Sequence, residues 1–125
     1  MARILIAEDD PGSGRLLTFR LKSLGHEPII VVDGGEALNT AMKEKPDLIL
    51  LDIMMPIMNG FQVLSKLKLQ EETKDIPVII LTSKVQEKDV VSALESGAAD
   101  YVTKPFSFAE LIARVNRTLA PRSQS

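Results

Sequence analysis

The sequence has no cysteine and no tryptophan, one histidine and one tyrosine, and aromatic residues make up 4% of its 125 positions. Without cysteine there are no disulfides and no thiolate chemistry, which fits a reducing compartment. With one histidine and no thiolate, zinc is a poor candidate as a bound metal. An excess of one charge is also missing, since 15 Lys and Arg stand against 17 Asp and Glu for a formal net charge of -2. Direct binding to nucleic acid is therefore not expected, because holding phosphates takes clustered cations. No apolar run approaches the roughly 20 residues that cross a bilayer. No apolar stretch of a cleavable signal follows Met1. The expectation is a cytoplasmic protein with no membrane association.

Apolar residues make up 45% of the chain and charged residues 26%, the balance of a domain with a real core and a solvated surface. The length is that of one domain. It is expected to cover residues 1–120, with a frayed polar tail over 121–125. Short apolar runs recur at Ile4–Ala7, Ile29–Val32, Leu48–Leu51, Val78–Leu81 and Tyr101–Val102. They do not alternate with polar residues, so they read as parallel strands buried on both faces. Segments of helical period lie between them. Phe108, Leu111, Ile112, Val115 and Leu119 form the clearest stripe. Leu17, Leu21 and Leu24 form a narrower one, followed by Ala37, Leu38 and Ala41, then Leu64 and Leu67, then Val90 and Leu94. Asp10-Pro11 reads as a helix cap followed by proline at the first helical position. Asp33 to Glu36 has capping-box spacing, and Gly25 and Gly97 stand where helices should end. The result is an α/β domain of alternating strands and helices.

Ligands of open α/β sheets sit at the carboxyl ends of the strands. The first strand runs out into Glu8-Asp9-Asp10, the third into Asp52, the fourth into Thr82-Ser83 and the fifth into Lys104-Pro105. Carboxylates brought together resist ionising together, and a divalent cation removes that difficulty. Ligands that are all oxygen suit Mg²⁺. An Asp at a strand end can act as a nucleophile and form an acyl phosphate. Metal and lysine would neutralise the phosphoryl oxygens, to one of which a threonine hydroxyl could donate.

Four stretches carry a family resemblance: Ile4-Leu-Ile-Ala-Glu8-Asp9-Asp10, Pro46 to Asp52 and on to Pro56 and Gly60, Pro77 to Thr82-Ser83, and Gly97 to Tyr101 and Lys104-Pro105-Phe106. Together, in this order and spacing, they resemble the receiver domain of two-component response regulators, from about Arg3 to Leu119. The resemblance implies a flavodoxin-like, doubly wound, five-stranded parallel sheet in the order 2-1-3-4-5 with five helices. It implies Asp52 as phosphoacceptor, and a metal site of Glu8 (through water), Asp9, Asp52 and the Met54 carbonyl for Mg²⁺, with Mn²⁺ as a substitute. Thr82, Ser83 and Lys104 would hold the phosphoryl group. Thr82 and Tyr101 would form the switch that changes the surface of the fourth helix, fifth strand and fifth helix. The Lys104-Pro105 bond is expected to be cis. Glu8 stands where the family more often has Asp. Met54 and Lys84 fall at positions that tune the lifetime of the phosphoryl group, and neither can orient an attacking water well, so slow decay is expected. Leu16, Phe19, Pro105 and Phe106 are the candidates for docking a sensor histidine kinase or histidine phosphotransfer protein. Phe19, roughly 200° around the helix from Leu17, should face solvent. A downstream protein target or a fused effector would read the output, although no effector follows Leu119 in this sequence.

Other acids read more plainly. Asp10 and Asp33 are expected as caps, and Asp47, Asp75, Asp89 and Asp100 as solvated residues. His26, after Gly25, is expected to be exposed and non-catalytic. Competing functions fit less well. A flavodoxin-like electron carrier needs a hydroxyl-rich phosphate loop where this chain has Glu8-Asp9-Asp10. A haloacid dehalogenase phosphatase carries a second Asp where this chain has Met54, so a turnover enzyme is not expected. A non-phosphorylated pseudo-receiver usually lacks one of the acids, the Thr or the Lys, all of which stand here.

Overall fold

The computed structural model describes residues 1–83 and 86–120. Strands β1 (Arg3–Ala7), β2 (Glu27–Val31), β3 (Leu48–Asp52), β4 (Val78–Thr82) and β5 (Asp100–Thr103) alternate with helices α1 (Pro11–Ser23), α2 (Gly34–Glu44), α3 (Gly60–Leu69), α4 (Glu87–Glu95) and α5 (Phe108–Leu119). All strand pairs are parallel and the order is 2-1-3-4-5, the flavodoxin-like winding expected. The 121–125 tail lies outside the described residues.

The period of two in the strands divides the core into two layers. Leu5, Ala7, Ile49, Leu51, Val78 and Ile80 pack with Ala37, Ala41, Val63, Leu64, Leu67 and Ala93 of α2, α3 and α4. Ile4, Ile6, Leu48, Leu50, Ile79 and Leu81 pack with Leu17, Leu21, Leu111 and Val115 of α1 and α5. Strands β3 and β4 are buried at every position, as central strands covered on both faces must be. The caps are also as expected. Asp10 accepts from the Ser13 hydroxyl at 2.8 Å and Asp33 from the Glu36 amide at 2.8 Å. Glu36 reaches back to the Val32 amide rather than to Asp33, one residue beyond the usual box.

Four expectations are corrected. β2 is not buried on both faces, since it is the sheet's edge strand and Ile30 and Val32 are 43% and 48% exposed. Its outer edge is blunted instead: Pro28 has no amide to offer and Glu36 takes the Val32 amide. Leu24 does not continue the α1 stripe, because it caps the helix at the turn into Gly25 and is 51% exposed. Asp100 is buried, held by Arg114 through both carboxylate oxygens at 2.9 and 3.0 Å and by Arg117 at 2.8 Å, and it fastens α5 to the start of β5. Asp89 is half-buried, and one of its oxygens is sealed from water with no hydrogen-bond partner among the described residues.

His26 also differs, being half-buried rather than exposed. Its Nδ1 accepts the Ala2 amide at 3.1 Å and ties the start of β1 to β2. Burial, and then the charge of the N-terminus, hold its pKa below the usual 6.5. The neutral ring belongs to the fold, so the folded state binds fewer protons than the unfolded chain as pH falls. This stabilisation is present above pH 6.5 and is lost as pH falls below it towards the depressed folded value. Melting temperatures at pH 8 and pH 5 are expected to differ more for the wild type than for His26→Gln. An equal drop in both would show that His26 contributes nothing to the acid sensitivity.

Candidate functional site

The parallel register brings the carboxyl ends of four strands to one edge. Ala7 lies opposite Leu51, Asp52 opposite Leu81 and Thr82 opposite Thr103, so Glu8, Asp52, Thr82 and Lys104 become neighbours. Glu8 and Asp52 are 2% and 5% exposed, while Asp9 faces solvent. Lys104 Nζ donates to Glu8 Oε1 at 2.5 Å and to Asp52 Oδ2 at 2.9 Å. The other oxygen of each acid also accepts a hydrogen bond, Glu8 Oε2 from the Asp10 amide at 3.2 Å and Asp52 Oδ1 from the Met54 amide at 2.9 Å.

Burial pushes the Glu8 carboxyl above its usual range, and the Asp52 charge adds to this against the Lys104 and Asp10 hydrogen bonds. Burial opposes the charge on Lys104, but its hydrogen bonds to Glu8 and Asp52 outweigh that and raise its pKa. One oxygen each of Glu8, Asp9 and Asp52 lie within 4.8 Å of one another. Three carboxylates against one ammonium, with oxygen as the only donor and an open side at Asp9, is a donor set that fits a hard divalent cation.

Thr82 is fully buried at the end of β4 and Ser83 is exposed beyond it; Lys84 lies outside the described residues. Tyr101 is 9% exposed and packs in the layer of Ala93 and Ala98, against which Val90 is half-buried. Burial, and then the Asp89 charge, raise its phenol pKa. Its ring is thus already on the inner side in this conformation. The Lys104-Pro105 bond is cis, as expected.

Three of the four docking candidates, Leu16, Pro105 and Phe106, line one cavity of about 460 Å³ between α1 and the β5–α5 connection, next to Lys104. Phe19 is 68% exposed, as expected; three residues from Leu16, it lies about 60° away round α1 and lines a neighbouring depression with Ile30 and Val32.

Residues 4–116 match the family model described as response regulator receiver domain. The chain belongs to that family. It is 45% identical over 120 residues to the protein PilH of Pseudomonas aeruginosa, covering 96% of this chain and 99% of PilH. It is 43% identical to the DNA-binding dual master transcriptional regulator RpaA of Synechocystis, over 95% of this chain but 49% of RpaA. This receiver therefore spans about half the length of such regulators. Among solved structures, it resembles the receiver domain of a sensor histidine kinase from Pseudomonas aeruginosa. The TM-score is 0.87 and the identity 32%, over 94% of this chain and 97% of that one. That crystal structure has a magnesium ion coordinated in the active site cleft.

The segment of this receiver after Asp52 is folded more tightly than its sequence suggests. The Met55 amide donates to Ile53 O at 3.0 Å, the Met58 amide to Pro56 O at 2.8 Å, and the Gly60 amide closes the loop on Ile53 O at 2.9 Å. Gly60 permits the closure, because a Cβ there would lie 2.6 Å from Asp52 O and from Ile53 Cα. Ile57 is the middle residue of the Pro56–Met58 turn, with φ +72° and 83% of its surface exposed. A bond between residues two apart around positive φ makes a strained γ-turn, and a β-branched residue there is an outlier. Nothing in the sequence signals it, since turns of this kind favour glycine. Neither the Asp100 clamp nor this turn was legible beforehand. Arg114 and Arg117, three apart on one face of α5, were the only trace of the clamp. Ile57→Gly is expected to stabilise the fold by about 1 kcal/mol through release of the left-handed strain, read as a higher denaturant midpoint. A lower midpoint would mean that the Ile57 side chain supports the loop.

Proposed function

We propose that this receiver takes a phosphoryl group from a histidine kinase or histidine phosphotransfer protein onto Asp52 in a magnesium-dependent reaction. The observation that carries the proposal is the Lys104 ammonium, held between Glu8 and Asp52 at the mouth of a three-carboxylate cluster. An Asp52 oxygen attacks phosphorus, and the donor's phosphorus–nitrogen bond breaks with its electron pair going to the imidazole. Lys104 turns from the Asp52 carboxylate to the incoming phosphoryl oxygens, and Thr82 and the Ser83 amide hold the group. Glu8, Asp9, Asp52 and the Met54 carbonyl would hold the cation. Magnesium, when bound, supplies positive charge against the phosphoryl oxygens, and Mn²⁺ shares its preference for oxygen.

The output is a shift in an existing equilibrium. As Thr82 engages the phosphoryl group, the packing of Tyr101 against α4 changes, and with it the surface of α4, β5 and α5. The buried ring makes this a matter of how firmly Tyr101 is held inside rather than of a swing from solvent. Met54, 56% exposed beside the acceptor, borders the path of an attacking water, and the phosphoform decays slowly; Lys84, the other lifetime candidate, lies outside the described residues. The domain acts as a signalling module rather than a turnover enzyme, in the cytoplasm, towards a protein target or a fused effector. It does not itself bind nucleic acid or membrane.

Incubation with Mg²⁺ and acetyl phosphate is expected to add one phosphoryl group by intact mass, and Asp52→Asn or EDTA to abolish it. Equal labelling of Asp52→Asn would refute the assignment, and an unlabelled wild type would favour a pseudo-receiver. In the same assay Leu16→Ala is expected to slow transfer from the cognate kinase while leaving acetyl phosphate labelling intact. Phe19→Ala is expected to do the same, and equal losses with both donors would mean that either change is structural instead.

A further inference from the structure

Helix α2 begins at Gly34, and that residue lies directly against the acceptor loop. Its amide points to Pro56 O at 3.3 Å. A Cβ at position 34 would lie 1.9 Å from the Met58 carbonyl oxygen and 2.7 Å from the Met58 carbonyl carbon. Both are backbone atoms and cannot rotate aside. Cβ contacts under 3.0 Å essentially never occur, so a methyl group here forces the two backbones apart by about 1.1 Å (3.0 less 1.9).

The geometry decides which side gives way. Helix α2 is seated through Ala37 and Ala41, 1% and 0% exposed, and its start is capped by Asp33. The far end of the loop is fixed where Gly60 meets Asp52 O and Ile53 Cα. The middle of the loop, at Pro56 and Ile57, is exposed and strained at Ile57. A side chain at position 34 would therefore displace the middle of the loop, and the Met54 backbone lies between that point and Asp52.

We propose that Gly34 is a positioning residue for the acceptor loop. Its missing side chain lets the Pro56–Met58 turn close on α2 and so sets the Met54 backbone beside Asp52, where a divalent cation is to be held. The consequence for the cation rests on the magnesium reading above, whereas the placement does not. Displacements of about 1 Å are enough to spoil a coordination site.

The test compares Gly34→Ala with Gly14→Ala in the full chain by amide NMR. Gly14→Ala also brings a Cβ under 3.0 Å, 2.4 Å from Ile30 Cδ1, but that atom ends a side chain that can turn aside, and the contact lies between α1 and β2 rather than on the loop. Without metal, the Met54 amide, which donates to Asp52 Oδ1, is expected to shift in Gly34→Ala and to stay in place in Gly14→Ala. On titration with MgCl₂, Gly34→Ala is expected to lose at least tenfold in affinity and Gly14→Ala less than twofold, whatever each loses in melting temperature. An unmoved Met54 amide, or wild-type affinity in Gly34→Ala, overturns the proposal. A wild type that does not respond to Mg²⁺ refutes the magnesium reading instead, and the metal-free Met54 shift still decides the placement. If Gly34→Ala does not fold, Ile57→Gly is combined with it so that the turn can withdraw from the methyl group. That double variant is expected to fold and to bind Mg²⁺ at least tenfold more weakly than Ile57→Gly alone. Equal affinity in those two overturns the proposal.

Discussion

Three carboxylates cannot gather at the end of a sheet unless something answers their charge, and in this receiver Lys104 does so. Its ammonium joins Glu8 and Asp52, which lie 96 and 52 positions before it in sequence, and links the ends of β1, β3 and β5. Coulomb attraction at about 3 Å in an effective dielectric near 20 is worth about 5 kcal/mol per pair. Removing the charges from water costs several kcal/mol per ion. The two nearly cancel, so the bridge is a weak source of stability and is not locked. An ammonium held by near-cancellation can exchange one anionic partner for another at little net cost, as the proposed phosphoryl transfer would require.

The fold serves this site by direction and by support. Parallel strands place all their carboxyl ends on one edge, and two apolar layers fix the strands in register. The loop that follows Asp52 is held between the first residues of two helices, Gly34 of α2 and Gly60 of α3, both in backbone contact with it. Helix α1 borders the acidic edge. Beside it Leu16 and Phe106 line a cavity that opens on Lys104, and Phe19 lines a neighbouring depression over the half-covered edge strand β2.

The strands, the helix order and the acidic edge were legible because each rests on a local pattern. Unbroken Ile, Leu and Val runs mark β1, β3 and β4; Asp52 and Thr82 end strands, and Glu8 and Lys104 follow them directly. What was missed depends on contacts distant in sequence. Asp100 looks like any loop acid until α5 folds back with Arg114. Ile30 and Val32 look buried until β2 is known to lie at the sheet edge. His26 looks like a turn residue until the Ala2 amide meets it. Ile57 contradicts local preference outright, and the surrounding loop imposes its conformation. Phe19 was placed correctly in solvent, because its distance from the Leu17 stripe follows from helical period alone.

If Lys104 is the cation that lets Glu8, Asp9 and Asp52 share one edge, removing its charge must leave a cluster that another cation can rescue. The direct measurement is the melting temperature of Lys104→Met and of the wild type at pH 8, with EDTA and with excess Mg²⁺. The variant is expected to melt lower than the wild type in EDTA and to gain more from Mg²⁺, because binding to the folded state alone stabilises it by mass action. A variant as stable as the wild type in EDTA, and no more responsive to Mg²⁺, would contradict the account.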